Sequence, residues 1–413
     1  MRNVVIAIMI LILSSVGLYV SLVSPIKTWG EARKDYVWDA CACGNNIYVL
    51  GGVSDNMGYP HIAVFKLNLK GRIVNSWILT NASIGTSILP YSMSIYVAGK
   101  IYDATSEYGV LIKLSTNLNV VWLKILEDFS EIKSMYIYAN RIYLIGSRMA
   151  ATASYIIALD VHGNILWTQP FSNARSLCVY MGDLYVISVE RGYLGDIMTI
   201  THIYSDGEYI SADCALEGNI KEIDFIIREN KMFIAGRITD PDLKTDDVFI
   251  LCYDMFGDVF IWDLTWGTSG TEYGCAVTFS DGYIYVTGKI MNNKLIENGD
   301  VLLLKISTKG KILWSRTYDF GLSEDIGKSI VAYSDSLFII GETLDGGEHY
   351  YDAFIMRVNS YGEATWQVFR VPKRGFGAIE FCLSLIVGIA SLIYLINTRR
   401  LTYILRKEYD YII

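Results

Sequence analysis

Short apolar strands ending in glycine recur along most of this chain, with polar loops between them. They read Ile47-Tyr48-Val49-Leu50-Gly51, Ile95-Tyr96-Val97-Ala98-Gly99, Ile142-Tyr143-Leu144-Ile145-Gly146, Leu184-Tyr185-Val186-Ile187-Ser188, Met232-Phe233-Ile234-Ala235-Gly236, Ile284-Tyr285-Val286-Thr287-Gly288 and Leu337-Phe338-Ile339-Ile340-Gly341. Successive copies lie 48, 47, 42, 48, 52 and 53 residues apart, which makes seven. Runs this short, rich in Val, Ile, Tyr and Phe and bounded by turn residues, predict β-strands rather than helices.

Each copy continues in the same order. A variable polar loop leads to a second apolar run, as at residues 300–306 and 352–358, and then to a tight turn with Gly163, Gly257, Gly310 or Gly362. A strand carrying Trp follows, with Trp122, Trp167, Trp314 and Trp366 in matching places and Trp77 and Trp262 slightly displaced. One more strand precedes each glycine-ended run. Copy four departs from the pattern, with Ser188 for glycine and no tryptophan. Repeats of 42 to 53 residues with four strands each predict an all-β, seven-bladed β-propeller over residues 30–371. One small sheet cannot bury both faces, and stacking seven around an axis does so. The tryptophans are expected to pack between blades, and each glycine to let the chain turn at the end of its strand.

Two stretches break the strand pattern. Residues 4–23 are 20 residues without a charge after Arg2, and residues 376–396 are 21 residues interrupted only by Glu380. Either is long enough to cross a bilayer core as a helix. The domain reading is therefore an N-terminal membrane helix or signal anchor at 1–24, the propeller at 30–371, a C-terminal transmembrane helix at 376–396 and a short basic cytoplasmic tail at 397–413. Arg2 before the first span and Arg399, Arg400, Arg406 and Lys407 after the second put both ends in the cytoplasm and the propeller outside. Ser384 and Gly388 offer a small-residue face for packing the spans.

Charge then excludes one class of partner. The chain carries −8 overall. Arg2 and the residues from 373 onward contribute a net +4, which leaves −12 on residues 3–372. So acidic an outer domain does not suit nucleic acid, which is held by neutralising phosphates. Six cysteines outside the spans (Cys41, Cys43, Cys178, Cys214, Cys252 and Cys275) are too sparse for a disulfide framework. Cys41, Cys43, Cys178 and Cys275 fall on first strands, among small residues suited to a narrow propeller centre.

The run Tyr285-Val286-Thr287-Gly288, followed by Asp300, Lys305, Gly310 and Trp314, resembles the β-propeller repeat family called SBBP. Ala158-Leu159-Asp160 with Gly163 and Trp167 is similar to quinoprotein-type (PQQ-like) repeats. The resemblance covers residues 30–371 and implies the fold, with no activity attached. Quinoprotein dehydrogenases themselves imply eight blades and a vicinal disulfide, whereas Ala42 separates Cys41 from Cys43.

Candidate chemistry is sparse. His61, His162, His202 and His349 fall in different copies without metal-ligand spacing. No nucleophile elbow or phosphate loop occurs. Asp240, Asp242, Asp246 and Asp247 form an acidic loop that offers oxygen ligands to Ca²⁺, without the glycine and terminal glutamate of an EF-hand. Glu342, Asp345, Glu348, His349 and Asp352 form a second acidic loop, and paired carboxylates are the machinery of glycoside hydrolysis. Asn81-Ala82-Ser83 is a glycosylation sequon.

Antiparallel succession puts tight turns such as Ser280-Asp281-Gly282 on one face and long loops such as 289–299 and 342–351 on the other. Binding residues gather on variable loops, so the long-loop face is the expected working face and the expected exit of both chain ends. The leading expectation is a membrane-anchored, extracytoplasmic, non-catalytic recognition or scaffold module for an envelope protein or glycan, with no resident cofactor. A polysaccharide-acting surface enzyme with carboxylates from several blades is the alternative. A solute sensor is third, because the tail after 396 is too short for a signalling domain.

Overall fold

The computed structural model describes residues 28–29 and 35–366, apart from loop segments at 56, 104–105, 149–152, 194, 241–244, 292–298, 321–323 and 345–350. Both hydrophobic stretches, with Glu380, Cys382, Ser384 and Gly388, lie outside the described residues. Among the described residues no helix is long and apolar enough to cross a membrane. Seven antiparallel sheets appear, six of four strands and one of five. They are the seven blades of an all-β propeller. Blade 4 comprises Ala174–Tyr180, Asp183–Arg191, Asp196–Ile203 and Tyr209–Ala215. Blade 5 comprises Asn219–Arg228, Lys231–Thr239, Asp246–Asp254 and Val259–Trp266.

Burial follows position in the blade. Second and third strands are covered on both sides by neighbouring blades, so Asn46–Ser54 and Asp246–Asp254 read as nearly continuous buried runs. Fourth strands have one face in water, and Val259–Trp266 alternates between exposed and half-buried positions. Strands one and two join through two-residue turns with positive φ at non-glycine positions, as at Ser92 and Met93, or Ala139 and Asn140. That geometry matches the twist of the paired strands.

The repeated glycine does not end its strand, as the sequence pattern suggested. It sits mid-strand, opposite a bulge in the first strand, as Gly51 opposite Val37 and Gly341 opposite Gly327. A β-carbon on Gly51, Gly99, Gly288 or Gly341 would lie 2.5, 2.2, 1.7 or 2.0 Å from a first-strand carbonyl oxygen. The bulge pushes that carbonyl into the space a side chain would occupy.

The tryptophans do pack between blades. Trp122, Trp262 and Trp314 each cover the positive-φ glycine in the turn of the next blade. A β-carbon on Gly310 would meet the Trp262 indole at 2.9 Å, one on Gly362 would meet Trp314 at 3.1 Å, and one on Gly163 would meet Trp122 at 3.4 Å. Trp262 also donates from Nε1 to the Thr308 carbonyl of blade 6.

Blade 7 holds the ring closure. Its third strand, Tyr351–Asn359, pairs along its outer edge with two short pieces: Thr28–Trp29 from before blade 1 and Ala364–Trp366 from after it. The propeller thus starts at Thr28 rather than at 30. The first piece is registered at Phe354 and Ala353 and the second at Arg357 and Val358, so the two ends lie roughly 10 Å apart on one strand. Both meet at the outer edge of blade 7.

The ring is uneven. In six junctions the first strands of neighbouring blades run within 8 Å of each other, and between blades 4 and 5 the backbones close mainly at the outer strands instead. That wider junction is filled by large side chains, among them Tyr185, Met198, Met232, Phe249, Tyr253 and Met255.

Candidate functional site

The first strands carry a polar ring. The residue 12 places before each repeated glycine, or before Ser188, is Asp39, Ser87, Ser134, Ser176, Asp224, Ala276 or Ser329. In blades 1–4, 6 and 7 it immediately follows the bulge. Ser134 and Ser176 share a 3.0 Å hydroxyl contact. Asp39 accepts from the backbone amides of Ala40 and of Ile88 in blade 2. Asp224 does the same with Phe225 and with Val277 in blade 6. Burial pushes Asp39 up to about 7, and Asp224 adds to that shift. Burial pushes Asp224 up to about 6. Each carboxylate is a latch between blades, with its oxygens engaged by backbone amides.

The second candidate lies at the wide junction, where the repeat fails. In most blades a row runs across strands two, three and four: an aromatic ring, a central residue and a tryptophan. Tyr96, Lys113 and Trp122 form one such row, and Tyr285, Lys305 and Trp314 another. The lysine lies over the tyrosine ring, 5.1 Å away for Lys113 and 5.4 Å for Lys305. In blade 4 the row is Tyr185, His202 and Ile210. Its fourth strand also lacks the bulge that the other blades have in this pairing. In the corresponding turn of blade 5 the positive φ falls on Asp258 instead of Gly257.

Those departures build one cluster. His202 is buried, stacked on Tyr185 at 4.1 Å and against Tyr204 at 4.1 Å. Its Nδ1 lies 2.9 Å from Asp258 Oδ1 and its Nε2 lies 3.3 Å from Asp183 Oδ2. An imidazole can donate to both carboxylates only when both nitrogens carry protons. Asp258 also accepts from the hydroxyls of Tyr253 and Tyr204, and Asp183 from the amide of Ser205. Burial and the Asp258 carboxylate hold the Tyr204 and Tyr253 hydroxyls above the usual phenol range. Tyr180, Met181, Asp183, Tyr204, Phe256 and Asp258 are among the residues lining a cleft of about 210 Å³. It opens on the tight-turn face, opposite the face expected from loop length.

The residues singled out in the sequence fall elsewhere. Asp242 lies outside the described residues. Asp246 accepts from the Thr239 hydroxyl. Asp247 is raised by burial, with Glu272, Asp240 and Asp246 adding to it. No group of three or more metal-binding side chains forms among the described residues. Glu342 is inside a strand rather than in the loop and accepts from the Val37 amide at 2.8 Å. Asp352 is likewise a buried strand residue, and Asp345, Glu348 and His349 lie outside the described residues. Asp325, raised to about 6 chiefly by burial, is fully buried and tied to Thr343 and the Phe320 amide. Asn81 is exposed, and Ser83 is fully buried, accepting from the Ile62 amide and donating to the Asn81 carbonyl. Ser83 therefore has a structural role between blades with or without a glycan. Cys41 and Cys178 are buried among apolar side chains. Burial pushes both thiols up. All six described cysteines are free.

No protein-family model and no curated protein matches the sequence. Solved structures do match the fold. The β-propeller domain of the Trilobed protease from Pyrococcus furiosus, described as having an open velcro topology, is 11% identical with a TM-score of 0.53, covering 83% of this chain and 100% of that one. The phage phi92 endosialidase is 9% identical at 0.49, over 85% of this chain and 70% of its own. A Pyrococcus horikoshii acylaminoacyl peptidase is 12% identical at 0.49, over 82% and 53%. Likeness at this identity establishes the propeller fold and transfers no activity.

Proposed function

We propose that this protein is a membrane-anchored, extracytoplasmic β-propeller acting as a non-catalytic recognition or scaffold module for an envelope protein or glycan. One observation carries the reading. The repeat breaks in two neighbouring blades at once, and both breaks converge on the cleft of Tyr204, Asp183 and Asp258. Every acid and base there is already held by another: His202 by two carboxylates, and Asp258 by His202, Tyr253 and Tyr204. General acid–base chemistry needs a group within reach of substrate and able to exchange its proton. A group committed on every side shapes and charges a surface instead. The basic flanks of the two hydrophobic stretches support the anchored, outward-facing placement.

The test is co-purification from native membranes of the wild-type chain and of Tyr204→Ala. A stoichiometric companion retained by the wild type and lost from the variant is expected. A companion held equally by both would contradict the cleft as contact point. Hydrolysis of envelope polysaccharide by the purified chain would favour the enzyme alternative.

A further inference from the structure

Resting on that reading, we propose that the cleft between blades 4 and 5 binds a quaternary or fully methylated ammonium group. The repeat itself supplies the comparison. In blades 1, 2, 6 and 7 an internal cation lies over the second-strand aromatic ring: Lys66 over Tyr48, Lys113 over Tyr96, Lys305 over Tyr285 and Arg357 over Phe338. In blade 4 His202 takes that place, and the tryptophan that would close the row is Ile210. The junction opens into the cleft. The rings of Tyr180, Tyr204 and Phe256 line it together with Met181, and Phe256 is 69% exposed.

Charge and hydrogen bonding narrow the ligand further. Asp183 and Asp258 bring two negative charges, and their ion pairs among the described residues are with His202 rather than with Lys or Arg. The site is therefore anionic or, at most, half compensated by one imidazolium. Yet the carboxylate oxygens are largely committed to His202, Tyr253, Tyr204 and Ser205. A guanidinium or primary ammonium demands several acceptors, which this cleft does not offer. A methylated ammonium demands none and gains from aromatic faces and nearby negative charge. A volume of about 210 Å³ suits one such head group rather than a drug-sized ligand.

The experiment uses the full chain in a maltoside detergent, with tetramethylammonium as probe and saturation-transfer NMR on its methyl signal. Saturable binding with a Kd of about 10 mM or tighter is expected. Tyr204→Ala should weaken it about tenfold, Tyr204→Phe should bind like wild type because the ring rather than the hydroxyl is used, and Asp183→Asn should weaken it about fivefold. Near-UV circular dichroism checks that each variant is folded. Choline and a trimethyl-lysine peptide then separate a free solute from a protein side chain as the source. Absence of saturation, equal binding by Tyr204→Ala, or tighter binding of arginine amide than of tetramethylammonium would overturn the proposal. Any of these results together with an intact companion in co-purification would leave the recognition reading standing and remove only this ligand.

Discussion

At the residue scale, one small choice explains the repeat. At Gly51, Gly99, Gly236, Gly288 and Gly341 a glycine recurs because the first strand drives a carbonyl into its β-carbon position, whereas at Gly146 the side chains of Ile157 and Phe129 fill that space. Gly99→Ala would set a methyl group 2.2 Å from the Ile84 oxygen, and an expected loss of about 1–3 kcal/mol follows from overpacking. Gly44, with φ of +57° and open space around it, is the control, and Gly44→Asn should cost about 0.5 kcal/mol or less. Urea unfolding of the two variants compares them. The axial acids give a second prediction. Asp39 and Asp224, raised to about 7 and about 6, bind protons more tightly in the folded chain than in the unfolded one. Their contribution is therefore complete below the unfolded value of 3.8 and is lost as pH rises through about 6 and 7. Melting temperature should fall between pH 5 and 8, and the Asp39→Asn, Asp224→Asn double variant should fall less steeply. An identical slope in both proteins would remove these two carboxylates from the explanation.

At the element scale, legibility depended on whether a feature repeats. Strand order, the tight-turn hairpins and the packing of tryptophan between blades were all readable, because each recurs at a near-constant offset. Thr28–Trp29 was not, since two residues paired to a strand more than 320 positions away leave no periodic trace. The cleft was hidden for the opposite reason. Copy four is visible as the degenerate unit, but Ser188 and the missing tryptophan do not by themselves signal a site, because His202 and Asp258 meet across 56 residues. The axial acids did have a usable signal, since each lies 12 residues before the repeated glycine. The composite edge of blade 7 yields its own expectation. A chain beginning at residue 28 should melt several degrees above one beginning at residue 35, because only the former completes the outer strand, about 2–4 °C for each kcal/mol. Equal melting temperatures would mean that Thr28–Trp29 pairing adds nothing to stability.

At the scale of the whole molecule, seven similar blades make one irregular ring. Six junctions close at the axis, and the one between blades 4 and 5 opens on the tight-turn face. Both ends of the propeller meet at the outer edge of blade 7. Photo-cross-linking tests this arrangement most directly. A benzoylphenylalanine replaces Phe256 at the cleft in one protein and Met93, an equally exposed turn residue on blade 2, in another. Both are irradiated in native membranes. A single discrete adduct from position 256 and none from position 93 is the predicted result. Equal adducts from both, or none from position 256, would contradict the cleft as the point of recognition.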